Sequence, residues 1–444
     1  MNIYFMEQTY MQPEEHSRNP VLCIKNALVC RDGQASASHD VLIRDGKIAD
    51  CAPSGSLDIP SDAEIADAGG KRLFPSFIDA LVHLRDPGQE YKEDIASGLA
   101  AAAHGGFGAV MAMGNTIPCN DSAAVTRYML DKAALSWPHG PRLYPVGALT
   151  LNLEGKELAP MGELAEAGCA AFSNDGRPVT NTELFRRGME YAAQWGKIVI
   201  DHCEDEFLAK GSHMNEGRYS SALGVKGQPT VAEALHVARD ILLAEYLDLP
   251  VHLAHISCRQ SVELIAQAKS KGVKVTAETC PHYLLLDESA LGGYNTLAKV
   301  NPPLRPKSDV EFLRKALADG LFDMLVTDHA PHAAHEKEDT LDNVPNGLIG
   351  LETAVPLTYA LVREKLISEQ RFIMLWHHGP AGVFSLPVNN FAPGDPADCF
   401  LFDPDLEWEV NRETLHSKSI NTPFLGQKLK GRATAHWIGG YRLY

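Results

Sequence analysis

Between residues 77 and 328 the chain repeats one pattern eight times: a short apolar run, then an amphipathic stretch. The runs fall at 77–83, 109–113, 143–148, 170–173, 198–202, 251–255, 273–278 and 324–328. Helical periodicity separates them at 92–104, 122–135, 182–195, 231–247, 260–271 and 309–317, with a last helix after Gly350. Continuous apolar runs are the mark of strands buried on both faces, and their alternation with helices specifies parallel βα units. Eight units predict an α/β fold, a (β/α)8 TIM barrel, whose functional groups gather where the strands end. No fixed-period repeat argues for a solenoid.

The flanks read differently. Residues 20–74 and 386–444 carry short β-like runs with turn signals, including Asp32-Gly33, Asp45-Gly46 and Gly439-Gly440. Neither flank is large enough to close a core, so both are expected to combine into one small β-sandwich, leaving residues 75–385 as the barrel. Residues 1–19 are polar and read as an N-terminal extension or a poorly ordered tail. A formal net charge of -17 argues against nucleic acid and anionic membranes as partners. The sequence has no run apolar enough to span a bilayer, and its N-terminus lacks a signal-like pattern. Nine scattered cysteines without a CxxC pair fit reduced thiols and a cytoplasmic setting.

The strand ends carry the chemistry. The first run ends in His83 and Arg85, the fourth in Ser173-Asn174-Asp175-Gly176 and the fifth in Asp201-His202. The sixth ends in His252-Leu253-Ala254-His255, the eighth in Asp328-His329-Ala330-Pro331-His332. Each residue alone has an ordinary explanation, since a strand-end histidine is commonly a satisfied polar group and Asp175 before glycine suits a turn. Together, imidazoles and carboxylates on five of eight strand ends suit a divalent metal such as zinc. His252, His282, His377 and His378 are read as structural or solvent-facing. Cys258 and Cys280 lie near the site without marks of reactivity, and 335–339 reads as a solvated loop.

Several of these segments are long and distinctive. They are His83-Leu84-Arg85-Asp86-Pro87-Gly88, Asn115-Thr116, Phe172-Ser173-Asn174-Asp175-Gly176, His255-Ile256-Ser257, Lys299-Val300-Asn301-Pro302-Pro303-Leu304-Arg305, Thr327-Asp328-His329-Ala330-Pro331-His332 and Gly350-Leu351-Glu352-Thr353-Ala354. In them the chain resembles the long bacterial dihydroorotases of the amidohydrolase superfamily, from Val21 to Tyr444. The resemblance implies a zinc-dependent, reversible cyclisation of N-carbamoyl-L-aspartate to L-dihydroorotate in pyrimidine biosynthesis. His83 and Asp328 would serve one metal, His202 and His255 another, with Asp175 bridging and Asp328 also acting as general acid and base. Arg85, Asn115, Asn301 and His332 would hold the substrate, and the backbone at Asn346-Gly347 would close over its ring.

Three positions depart from that pattern. Leu81 stands where the family has a first metal-binding histidine, Gly114 replaces a proline, and Asn174 replaces an aspartate. Leucine offers no lone pair, so one firmly held Zn2+ at Asp175, His202 and His255 is expected, with a weak or empty site at His83. Two other readings stay open. One is a non-catalytic homologue that scaffolds aspartate transcarbamoylase; the other is a hydantoinase-like or allantoinase-like hydrolase. A homodimer is also open.

Overall fold

The computed structural model describes residues 21–31 and 36–444, so the extension and the Asp32-Gly33 turn lie outside the described residues. All eight predicted barrel strands are present: Phe77–Val82, Phe107–Ala112, Arg142–Ala148, Ala171–Ser173, Val199–Asp201, Val251–Leu253, Val275–Thr279 and Met324–Leu325. They pair in parallel and in sequence order. Their side chains are largely apolar and fully buried in one continuous core, which is why the sequence shows unbroken apolar runs rather than alternation.

The seam between first and eighth strands rests on polar contacts. Val82 bridges to His329, and the His83 amide donates to the His329 carbonyl at 2.8 Å. Below it, Asp79 is wholly buried and accepts from the Thr327 amide (3.1 Å) and the Thr327 hydroxyl. Leu81 is fully buried in the barrel core, and its own amide donates to Asp79 at 3.3 Å. The barrel interior also buries His252, whose ring nitrogens lie 2.8 Å from the Thr276 hydroxyl and 2.9 Å from Glu278. That makes His252 a structural residue, as expected of it.

The helices follow the predicted periodicity. Ile95–Gly105, Ala123–Ser136, Thr182–Gln194, Val231–Leu247, Arg259–Ser270, Lys307–Ala318 and Ala354–Arg363 cover the barrel. A short helix, Met161–Ala167, fills the gap between the third and fourth strands; its seven residues are too few to show a period.

Both flanks join one eight-stranded mixed sheet. Its order is Tyr441–Arg442, Lys428–Ile438, Cys399–Glu409, Arg72–Pro75, Val21–Val29, Ala37–Arg44 and Lys47–Pro53, with Glu64–Asp67 also paired to Val21–Val29. The ends of the chain meet where Cys399–Glu409 runs antiparallel to Arg72–Pro75. The outer edges approach as well, with the Ile48 amide donating to Asp395 at 2.9 Å. Residues from both flanks, such as Ile43, Leu73, Leu401 and Trp437, therefore share one core. Val21–Val29 is one strand, bulged at Lys25-Asn26, where Asn26 has φ of 54°.

Burial pushes the Asp79 carboxyl up to about 7, against the hydrogen bonds from Thr327 and Leu81 that favour its ionised form. A raised folded-state value means stability falls as pH climbs from about 4 towards 7, because the unfolded chain releases this proton earlier. Asp79→Asn keeps the shape and can still accept from the Thr327 amide. Its stability relative to the parent should rise by on the order of 2 kcal/mol between pH 5 and pH 8 in urea melts. A difference independent of pH would contradict this protonation of Asp79.

Candidate metal centre

Five side chains converge at the carboxyl ends of the strands. His83 Nε2 lies 3.1 Å from Asp328 Oδ1 and 3.5 Å from Asp175 Oδ2. On the other side of Asp175, its Oδ1 lies 3.3 Å from His255 Nε2 and 3.5 Å from His202 Nδ1. His202 Nδ1 and His255 Nε2 are 2.9 Å apart. All five are buried. Asp175 thus turns one oxygen to each side, and the five predicted ligand positions occupy one cluster.

Backbone geometry explains how consecutive residues turn into this space. Arg85, His255 and Asp328 have φ of 62°, 35° and 49°. Non-glycine residues adopt this left-handed region at a cost of roughly 1–2 kcal/mol, and such strain gathers at functional sites.

The donor set fits a divalent ion. Ligands about 2.0–2.1 Å from a tetrahedral zinc lie about 3.3 Å from one another. The edges of the Asp175, His202 and His255 triangle, 2.9, 3.3 and 3.5 Å, bracket that value. Burial raises the Asp175 carboxyl, but hydrogen bonds from His202 and His255 and the charge of His83 outweigh it and hold it well below its usual range. Burial likewise lowers His202, yet Asp175 and Glu204 hold that ring well above its ordinary value. Protons and a cation compete for the same lone pairs. A second buried group, Asp201, Cys203 and Asp240, already holds a cation: Arg239 lies 2.9 Å from Asp201 and 2.7 Å from Asp240.

The neighbouring residues orient the rings. Asn115 Oδ1 lies 2.9 Å from His83 Nδ1, so its side chain touches a proposed ligand. Asn301 Nδ2 lies 3.3 Å from His202 Nε2. Glu204, which the sequence reading passed over, lies 3.6 Å from the same nitrogen and accepts from Gln228 at 2.7 Å. Its place two residues after His202 was the available signal. Asn174 turns away to the Thr150 amide (3.0 Å) and hydroxyl (2.7 Å), which leaves Asp175 alone at the centre. Gly114 packs so closely on the third strand that an added Cβ would lie 2.9 Å from the Val146 carbonyl.

Beside this cage lies a second cluster. Arg85 is buried, donates to the Pro331 carbonyl at 3.2 Å and approaches His332 Nε2 at 3.4 Å. Burial lowers its guanidinium to about 10, which leaves it cationic at neutral pH. Among the described residues no carboxylate pairs with it. His332 is pushed down to about 2 by burial and by Arg85, Lys337 and Lys92. Its Nε2–H donates to the Asn346 carbonyl at 2.8 Å, which fixes the tautomer and leaves Nδ1 as a buried acceptor. Gly347, at φ 126°, lets the backbone pass: a Cβ there would lie 2.6 Å from Ala330 Cβ.

The 335–339 segment is less solvated than its charge suggested. Lys337 is buried, donates to the Pro345 carbonyl at 2.7 Å and is lowered by burial to about 7. Lys299 donates to Leu341 and Val344 carbonyls at 2.6 and 2.7 Å. Two lysine amino groups thereby tie down the loop that carries Asn346 and Gly347. Cys258 is raised to about 12 by burial and Cys280 well above its ordinary value, so neither is an activated thiol. His282 is buried with both ring nitrogens unpartnered.

Known proteins resemble this chain in sequence and in fold. A model of the dihydro-orotase-like family matches residues 70–261. Dihydroorotase of Syntrophotalea carbinolica is 47% identical over 407 residues, 91% of this chain and 95% of that protein. Dihydroorotase of Desulforapulum autotrophicum is 44% identical over 420 residues, 95% and 98% of the two chains. In fold, L-hydantoinase from Arthrobacter aurescens superposes with a TM-score of 0.85 at 23% identity, covering 95% of each chain.

Zinc binding should expel the proton shared among His202, His255 and Asp175, so affinity should rise with pH. Calorimetry in two buffers of different ionisation enthalpy, between pH 6 and 8, should show net proton release. Affinity that stays flat over that range would contradict the cage as the binding site.

Proposed function

The chain belongs to the dihydroorotase family, and from that premise we propose that it interconverts L-dihydroorotate and N-carbamoyl-L-aspartate with zinc held at Asp175, His202 and His255. The observation that carries this reading is Arg85: a buried cation without a carboxylate of its own, next to a metal-ligand cage. Burying such a charge is costly unless it meets a partner, and the planar guanidinium fork suits a substrate carboxylate.

Bound zinc would polarise the ring amide and make hydroxide available near neutral pH. The chain's own residues do the rest. Asp328, 3.1 Å from His83, takes the proton from the attacking water and returns it to the departing ring nitrogen. Arg85 fixes the carboxylate, and neutral His332 contributes an acceptor rather than a charge. Asn301 borders the ring, and the Asn346-Gly347 backbone covers it; Asn115 acts chiefly by holding the His83 ring. A loop tied by Lys299 and Lys337 keeps that cover in place.

Two rival readings have less support. Hydantoinase-like and allantoinase-like enzymes bridge their metals with a lysine, and residues 170–176 contain none. A scaffold freed from chemistry has no need of five converging ligand positions. No helix among the described residues is long and apolar enough to cross a membrane, and all nine cysteines are free thiols, which supports a cytoplasmic setting. Gel filtration with and without aspartate transcarbamoylase separates monomer, homodimer and complex.

Zinc-loaded protein should hydrolyse dihydroorotate and leave hydantoin and allantoin nearly untouched. Asp328→Asn should lower kcat by about 10²-fold or more, and Arg85→Met should raise KM. Preference for hydantoin, or full activity in Asp328→Asn, would sink the reading. Leu81→His should raise both metal content and rate; an effect on neither would remove Leu81 as the weak point of the first site.

A further inference from the structure

The hairpin between Cys399–Glu409 and Lys428–Ile438 does not close with a tight turn. Residues 410–427 leave the terminal sheet instead, and a connection of that length without regular structure is usually functional. Its path runs along the loops of the barrel mouth. Ser419 donates to the Lys92 carbonyl at 2.8 Å, the Lys418 amide donates to Glu93 at 3.1 Å, and His416 pairs with Glu352 at 2.8 Å.

At its inner end sits Asn421, buried, with its side-chain amide filled by three backbone partners. Oδ1 accepts from the His332 amide at 3.0 Å. Nδ2 donates to the Ala330 carbonyl at 3.0 Å and the Gly347 carbonyl at 3.1 Å. The Asn421 carbonyl accepts from the Ile349 amide at 3.0 Å. Ala330 and His332 continue directly from Asp328, whereas Gly347 and Ile349 belong to the covering loop. One side chain from the terminal sheet's excursion thus bonds both walls of the substrate pocket, which also meet directly where the Ala330 amide donates to the Leu348 carbonyl at 2.8 Å.

We propose that Asn421 is a positioning residue for substrate binding, through which the terminal sheet sets the distance between the Ala330–His332 and Asn346–Gly347 segments. It touches no reacting atom. Asparagine is required because the gap presents one donor and two acceptors, a demand neither aspartate nor leucine can meet. This inference rests on the dihydroorotase reading for its kinetic test, and hydrogen exchange provides a test that does not.

Asn421→Asp loses both donors and keeps the acceptor; Asn421→Ser is the milder variant should the first not fold. Thr414→Ala is the control, since Thr414 lies on the same excursion and its hydroxyl bonds only to Asn411 within it and to Glu409. The Asn421 variants should raise KM for dihydroorotate by about 10-fold or more, as loss of a supporting contact does elsewhere. Their kcat should stay within about threefold, with zinc content unchanged. Unchanged KM, or parallel loss of kcat and thermal stability as in Thr414→Ala, would overturn the proposal. Amides of residues 330–349 should exchange faster in the Asn421 variants of the metal-free protein and not in Thr414→Ala. Equal exchange in all three would overturn it even if the chain had no dihydroorotase activity.

Discussion

The closure of the barrel between its first and eighth strands is the contact on which the site depends. There the His83 amide meets the His329 carbonyl, and Asp79 ties itself to Thr327. These bonds set His83 against Asp328 at 3.1 Å. Opening the seam would part those two groups while leaving His202 and His255, on the adjacent fifth and sixth strands, together. The two halves of the proposed metal centre therefore have different structural foundations. One is built on neighbouring strands, the other on the join.

Around that centre the chain accepts several costs. Three residues take left-handed backbone, Arg85 is buried without a carboxylate, and Lys299 and Lys337 bury amino groups among carbonyls. None of these features would be expected from packing alone. All of them point functional atoms into one space or hold the loop that covers it. The terminal sheet takes part too, since its long excursion delivers Asn421 between the two pocket walls.

Much of this was legible in the sequence, because strand burial and strand-end chemistry are local signals. Apolar runs located all eight barrel strands, and the segments after them held the five converging ligand positions. Less local facts were out of reach. Asn421 lies 91 residues from Ala330, and nothing in its neighbours marks it as a hub. Lys337 sits in a charged stretch and reads as solvated, yet it is buried, with its amino group on the Pro345 carbonyl and near that of the remote Thr296. Glu204 could have been suspected from its spacing to His202.

Leu81 ties these threads together. It is buried on the same strand as Asp79 and His83, and it contributes packing where the sequence resemblance implies a ligand histidine. Asp175, His202 and His255 are therefore the proposed strong site for a cation, and the seam the weaker one. Zinc counted per chain after gel filtration in metal-free buffer tests this directly. One retained equivalent is the predicted result; two equivalents held alike, or none, would contradict it.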